Sequence, residues 1–596
     1  MNEIGMRIEL LRGEMMKNDI DCYIILSGDY HDSEYVDGYF KEREYMSGFT
    51  GSAGTLVVTL TEARLWTDGR YFLQAEDQLS GTGIQLMRSG DPGIPEIDEY
   101  LGGSISYGQT IGYDGRTMTW DLGKRLREAV DGRNARFRTD LDLVGNIWRD
   151  RPEFPASPIW LLDAKYSGRS VMDKLASLRD AYREKKASGI VIASLDDVAW
   201  LYNYRGNDVS YTPVAMAFTL VTDQEAVIYI SRDAVSPEIK AFYEEMGIRF
   251  RPYSSVYGEI SRIEEPLMVD SARASEALIS SVRKPIFGMN PTCLGKAVKN
   301  QTEVSNIRNA HIKDGIALTK TLCYVRQLDR AGKINEKTEL DIGSYLDDMR
   351  SFQSDFISLS FESIIATGEH GAIVHYEPTS ESNRPIEEGY LLMDTGGHYL
   401  QGTTDVTRTI SIGEPTSEMK ECYTAVLRGH LDLMDAKFPE GTFGSQLDAL
   451  ARRHLWEMGL DYNHGTGHGV GYLMNVHEGP NSIRKRTARS AEEAPLKAGM
   501  ITSNEPGVYL EGKFGIRIEN IILTKDAGIT GCDGKGWLEF ETLTLAPYDR
   551  ASIIPERLTE REREVLNRYH EKVYRLISPG LTDAEKEWLR EETAEI

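Results

Sequence analysis

Leu391-Leu-Met-Asp394-Thr-Gly-Gly397, Thr404-Asp405-Val-Thr-Arg-Thr409, His464-Gly-Thr-Gly-His468-Gly-Val-Gly471, Asn504-Glu505-Pro-Gly507 and Gly515-Ile-Arg517-Ile-Glu519 follow one another in a chain of 596 residues. Apolar residues lead into several of the acidic positions, and glycines crowd the backbone near most of them. This pattern predicts acids on or beside strands, not on a solvated helix face. Asp394 and Asp405 flank residues 395–404, which hold Gly396, Gly397 and Gly402. Glu505 and Glu519 flank Glu511-Gly-Lys-Phe-Gly515, and both intervals predict hairpin turns. In the last segment the period of two places Arg517 and Glu519 on one strand face.

Four carboxylates at the ends of buried strands repel one another unless something positive sits among them. Two divalent metal ions remove that repulsion, and one carboxylate can bridge both. Oxygen-rich ligands with a single imidazole suit Mn(II), with Co(II), Fe(II) or Zn(II) as substitutes, better than a purely structural zinc. Such a pair holds a bridging water as hydroxide at neutral pH, ready to attack a carbonyl. A lone Asp or Glu beside a glycine is ordinarily a turn residue or a cap, and one His-Gly-Thr-Gly-His can be a glycine-rich loop. The five elements in this order are specific.

The totals bound the alternatives. The length predicts about three or four domains. The net charge of −25 argues against a nucleic-acid or anionic-membrane binder, which needs a basic face. Five scattered cysteines without a CxxC spacing read as reduced thiols, not a disulfide framework or zinc cage. The N-terminus lacks a basic region followed by an apolar run, and no stretch of about 18 apolar residues occurs. The expected address is the cytoplasm, with no membrane span.

Taken in order, residues 4–17 predict an amphipathic helix on Ile4, Ile8, Leu11 and Met15. Cys22-Tyr-Ile-Ile-Leu26, Thr55-Leu-Val-Val-Thr-Leu60 and Ala63-Arg-Leu-Trp-Thr67 read as strands of an α/β domain ending near Arg151-Pro152. A helix over 171–185 and the strand Gly189-Ile-Val-Ile-Ala193 restart the pattern, which hints at a duplicated module. A long helix opens at Glu303, and nine of the eleven histidines lie between His311 and His477. Clustering of the side chain that titrates near neutrality marks an active domain. His311, His398, His430 and His454 read singly as core or surface residues. Residues 558–592 read as a charged helical pair broken at Ser578-Pro-Gly580.

These motifs resemble those of the pita-bread metallopeptidases, and within them the long three-domain Xaa-Pro aminopeptidases. The resemblance runs almost end to end. Further markers are Ser27-Gly-Asp-Tyr-His-Asp-Ser-Glu-Tyr35, Ser47-Gly-Phe-Thr-Gly-Ser-Ala-Gly-Thr55, Trp66-Thr-Asp-Gly-Arg-Tyr-Phe-Leu-Gln74 and Ala310-His-Ile-Lys-Asp314. His375-Tyr-Glu-Pro378, Asn475-Val-His477-Glu-Gly-Pro480 and Trp537-Leu-Glu-Phe-Glu-Thr-Leu-Thr544 complete the set. The resemblance implies a mixed α/β chain in three parts. Residues 1–152 and 153–296 would be creatinase-type N-terminal domains, the second non-catalytic, and 297–596 a pita-bread catalytic domain with a helical extension.

It also implies roles. Asp394 would chelate one metal, His468 and Glu505 the other, with Asp405 and Glu519 as bridges. Glu505 would take the proton of the attacking water and pass it to the leaving nitrogen. His477 would stabilise the oxyanion, His464 and His375 would line the pocket, and Arg517 would orient a bridging carboxylate or a substrate terminus. The implied substrate is a peptide with proline at its second position, and the implied assembly is a homodimer. Two other readings stand beside this one. A prolidase cleaves Xaa-Pro dipeptides with the same metals, although the inserted second domain favours the aminopeptidase. A non-catalytic pita-bread module would have lost metal ligands, and all five are present.

Overall fold

The structure is a computed structural model that describes residues 2–485 and 493–596. It divides into two compact units, one of Met1–Ala164 with Arg169–Cys293 and the other of Lys165–Gly168 with Leu294–Ile596.

The first unit contains two six-stranded sheets of one topology. Cys22–Leu26 pairs antiparallel with Thr55–Thr59 and parallel with Thr110–Gly112. Gly189–Ile192 does the same with Ala217–Thr222 and Leu267–Val269. Outward from each central strand the order is likewise shared, so the first sheet's 4-3-2-1-5-6 reappears strand for strand in the second. The expected opening helix runs over Glu3–Lys17, capped by Asn2, and buries Ile8, Leu11 and Met15. Its counterpart, Val171–Glu184, is capped by Ser170. The two modules join through matching segments: Trp120 N–H donates to Ala274 O and Glu276 N–H to Met118 O. These reciprocal bonds are what a duplicated module meeting its copy back to back produces.

The second unit opens with the Gln301–Arg330 helix, whose Asn300 and Glu303 form a capping box. Reciprocal capping satisfies backbone donors that the first turn leaves bare. Behind the site lie a three-stranded sheet, Ile364–Thr367, Gly389–Thr395 and Val406–Ile412, and a four-stranded one, Lys437–Pro439, Gly536–Thr542, Asn520–Thr530 and Ile501–Asn504. Alternation along Gly389–Thr395 sends Leu391 and Met393 into the main core, with Leu322, Val325, Leu346, Val426 and Ile516. Leu392 joins a small separate cluster with Ile364, Ala366 and Tyr376. Asp394 shares its face with Leu392, and so leaves the sheet away from the main core. The charged C-terminal pair is Glu560–Ile577 and Asp583–Glu592, separated by a 3₁₀ turn at Ser578–Gly580. None of the five cysteines, all among the described residues, forms a disulfide.

Candidate active site

Both predicted hairpins form. Gly389–Thr395 and Val406–Ile412 pair antiparallel with Asp394 opposite Thr407, and Asp405 immediately precedes the second strand. Gly507–Leu510 pairs with Phe514–Arg517, placing Gly507 opposite Arg517 and Tyr509 opposite Gly515. Glu505 stands between this hairpin and the Ile501–Asn504 strand, and His468 lies on Gly467–His468. One expectation needs correction. Arg517 ends its strand, and Glu519 sits at the junction before Asn520–Thr530 instead of two places along one strand. There Ile518 N–H bonds Pro506 O and Glu519 N–H bonds Thr407 O at 3.1 Å, so the backbone turns and delivers both side chains to the same centre by different routes.

Ligand-type atoms of Asp405, His468 and Glu519 all lie within 4.8 Å of one another. His468 Nε2 is 3.4 Å from Asp405 Oδ2 and 3.4 Å from Glu505 Oε1. Its Nδ1 donates to Gly469 O at 3.0 Å, which leaves Nε2 as the ring atom able to ligate a metal. A Cβ on Gly467 would meet Ser503 O at 2.0 Å, so only glycine lets the His468 strand approach the strand that leads to Glu505 so closely.

The electrostatics are those of a set of acids short of positive charge. Burial raises the pKa of Asp394, and Asp405 adds to it while Arg517 opposes. Burial and Asp405 raise Glu505 against the pull of His468. Glu519 is raised well above the ordinary range by burial, then by Asp405, Asp394 and Glu505. Burial disfavours a charged His468, but Asp405 and Glu505 outweigh it and hold the ring at about 9. Asp394 Oδ1 and Glu519 Oε1 are buried without a hydrogen-bond partner among the described residues. Buried carboxylate oxygens rarely lack a partner. Two orphan oxygens among mutually repelling acids, with an imidazole nitrogen beside Asp405 and Glu505, make the kind of donor set that a divalent cation needs. The five residues fit two such ions, since a carboxylate offers two oxygens and can bridge.

Arg517 is the counter-charge built into the site. It donates to Asp394 Oδ2 through Nη2 at 2.6 Å and through Nε at 3.1 Å. It therefore holds Asp394, not one of the two acids expected to bridge, and reaches Glu519 only through Thr407, whose hydroxyl donates to Glu519 Oε2 at 2.8 Å. From Nη1 it donates to the Tyr509 hydroxyl at 2.8 Å. That hydroxyl lies 2.8 Å from His464 Nε2, and His464 Nδ1 is 2.8 Å from Gly465 O. With neutral His464 the directions agree throughout: Arg517 donates to Tyr509, Tyr509 to His464, and His464 to the backbone. His464 Nδ1 also lies 3.8 Å from Glu505 Oε2.

His477 meets His468 edge to face with ring centroids 4.3 Å apart. His375 lies half-buried on the turn after Gly368–Ala372. That turn is held from two sides. Glu339, fully buried, accepts from Tyr376 Oη at 2.7 Å and from Thr367 N–H at 2.9 Å. Gly371 and Gly515 pass so closely that a Cβ on Gly515 would come within 1.6 Å of Gly371 O. The turn bearing His375 is thereby fastened to the strand bearing Arg517. His311, His398, His430 and His454 are buried core residues.

Tyr509, Thr407 and Arg408 were not identified from sequence. Thr407 alternates with Asp405, and Tyr509 stands diagonal to Arg517 across the hairpin, so strand periodicity carries a signal for both. Arg408 carries none. Its guanidinium is buried and donates to Glu519 O at 2.6 Å, Asn520 Oδ1 at 2.8 Å and Ala546 O at 2.9 Å, fixing the junction that presents Glu519.

Four stretches of the chain match known protein families. Residues 305–526 match metallopeptidase family M24, and 536–596 match the C-terminal region of that family. Residues 7–141 and 150–303 each match a creatinase/prolidase N-terminal domain. Aminopeptidase P1 of Arabidopsis thaliana is 38% identical, covering 96% of both chains. Xaa-Pro aminopeptidase 1 of Dictyostelium discoideum is 37% identical over 97% of this chain and 93% of its own. The crystal structure of an X-prolyl aminopeptidase from Caenorhabditis elegans, described as a cytosolic enzyme with a di-nuclear active site, superposes over 100% of both chains with a TM-score of 0.95 and 34% identity.

Proposed function

Because the chain belongs to the M24 metallopeptidases, and among them to the Xaa-Pro aminopeptidase (aminopeptidase P) family, we propose how its own residues divide the work of that activity. The activity is metal-dependent hydrolysis of the peptide bond between a free N-terminal residue and proline. The observation that carries the reading is the cluster of Asp405, His468 and Glu519, with Asp394 Oδ1 and Glu519 Oε1 buried and without a hydrogen-bond partner among the described residues, in a chain similar end to end to such enzymes. The prolidase and the binding-module readings have no comparable support.

Asp394 would hold one ion, His468 and Glu505 the other, and Asp405 and Glu519 both; Mn(II) is the ion this donor set suits best. When bound, the two ions supply Lewis acidity and an activated water. Arg517 favours the ionised form of Asp394 and orients it. Glu505 accepts the proton of the attacking water and returns it to the leaving proline nitrogen, which lacks an N–H of its own before cleavage. His477 donates to the oxygen that becomes an oxyanion, and such a donor is worth about 10²–10³ in kcat. His464, oriented by Tyr509, and His375, fixed through its turn, line the pocket for the substrate. The division into 1–152, 153–296 and 297–596, a homodimer and a cytoplasmic address complete the proposal. Among the described residues no helix is long and apolar enough to cross a membrane.

The deciding experiment is release of the N-terminal residue from Arg-Pro-Pro and from Arg-Ala-Pro, by metal-free protein and after adding back Mn(II), Co(II) or Zn(II). Metal-dependent cleavage of the first peptide alone supports the reading. Cleavage restricted to Xaa-Pro dipeptides would replace it with a prolidase.

A further inference from the structure

A cavity that shares no residue with the acidic centre lies between the Glu560–Ile577 helix, the end of the Ser417–Met434 helix and the Lys437–Pro439, Asn520–Thr530 and Gly536–Thr542 strands; its volume is about 460 Å³. Six cations line it: Lys437, Lys525, Arg561, Arg568, Lys572 and Arg575. The carboxylates in the lining are Asp435, Glu539 and Glu571. This local excess of positive charge stands on a chain whose net charge is −25.

The arrangement follows from helix geometry. Arg561, Arg568 and Arg575 recur every seven residues, so they occupy one face of the helix about 10 Å apart. Two of the acids are each shared by two cations. Asp435 accepts from Arg561 at 2.7 and 2.8 Å and from Arg568 at 3.4 Å. Glu539 lies between Lys437 and Lys525, 3.0 and 3.1 Å away. Lys572 spends its ammonium on a neutral carbonyl, Thr542 O, at 2.6 Å. Burial lowers the Lys572 pKa; Glu541 opposes this, and Arg308, Arg575 and Lys525 add to it. Like charges gathered in a concavity raise the local concentration of an anion and lose their mutual repulsion when one binds. Beneath the charges the wall is aromatic, with Phe540 at 8% and Tyr569 at 4% exposure.

From this geometry we propose that the cavity binds a small polyphosphorylated metabolite. Guanidinium forks match phosphate oxygens in pairs, and three arginines with three lysines recognise several phosphates at once. The volume is that of a small-molecule site. A nucleic-acid strand is opposed by the charge of the rest of the chain. Phosphates would meet the arginine stripe while the ligand's carbon skeleton covers Phe540 and Tyr569.

The test uses the metal-loaded full chain and pyrene-1,3,6,8-tetrasulfonate, a fluorescent tetraanion that does not chelate divalent ions. Its anisotropy should rise on binding and be reversed by fructose 1,6-bisphosphate but not by fructose. In a chain carrying both Arg568→Gln and Arg575→Gln, affinity for both anions should fall at least tenfold, while cleavage of Arg-Pro-Pro is unchanged and reports that the chain is folded. No anisotropy change, no displacement by the bisphosphate, or equal affinity in the double variant would each overturn the proposal, the last by placing the anion elsewhere on the protein.

Discussion

Tyr509 joins Arg517 to His464: its hydroxyl accepts from Arg517 Nη1 and meets His464 Nε2, both at 2.8 Å. Burial raises its pKa to about 12, so it remains a donor to His464 at neutral pH. Through Arg517 the same chain of bonds continues to Asp394.

Removing that hydroxyl should uncouple the two halves. Tyr509→Phe keeps the ring and is expected to retain two ions per chain while kcat/KM for Arg-Pro-Pro falls about tenfold, the loss of one charge-assisted hydrogen bond. Metal analysis beside steady-state kinetics checks it. Loss of metal together with activity would mean that Tyr509 acts on the ligands and not on His464.

Arg517→Gln leaves Asp394 without its fixed counter-charge. Partners outside the ligand set are typically worth about 10–100-fold in metal affinity. Competition with a chelator should show weaker binding of that order, and Arg517→Lys should not restore it, because a point charge cannot reproduce the Nε and Nη2 fork.

His477→Ala removes the proposed oxyanion donor but no metal ligand. The ion content should stay at two while kcat drops by about 10²–10³. Unchanged kcat would refute the role.

Stripping the metals should make stability depend on pH with a definite sign. Glu519, Glu505 and Asp394 have raised pKa values when folded, and His468 is raised to about 9, so the folded metal-free chain binds more protons than the unfolded one. Its stability from these groups is fullest at low pH and falls as the pH rises through the ordinary carboxylate range and on to about 9. Metal ions displace those protons, so metal affinity rises over the same interval. Thermal melts with and without Mn(II) at pH 6 and pH 9 should diverge, the gap being larger at pH 9.

An opposite dependence comes from His430 and His570, both lowered to about 3, first by burial and then by Arg408. Depressed values mean the unfolded chain takes up protons first, so stability is lost as the pH falls below about 6.5. Each contributes about 2 kcal/mol of loss between pH 6.5 and 5. Urea denaturation of the metal-loaded chain should show this acid-side slope, and His570→Asn should reduce it.

Much of the site was legible in the residues alone, because metal chemistry demands particular side chains and strand periodicity places them. Asp394, Asp405, Glu505 and Glu519 beside two turn signals, with His468 in a glycine-rich segment, were enough to mark a candidate donor set and both hairpins. The two N-terminal modules were less plain: the helix-then-strand restart at residue 171 suggested repetition, but the shared strand order of the two sheets is a property of pairing, which one sequence does not display.

What the sequence by itself determined was therefore the candidate donor residues, the two hairpins beside them and the family. The tertiary structure alone decided which acid Arg517 grips, how Glu519 is delivered from a junction that Arg408 pins, and that Tyr509 ties His464 to the ligand set. The reason is physical. Periodicity and turn chemistry act over a few residues, whereas Arg408 bonds Glu519 O and Gly515 passes Gly371 across more than a hundred residues of chain, and contacts of that span exist only once the sheets have closed on each other.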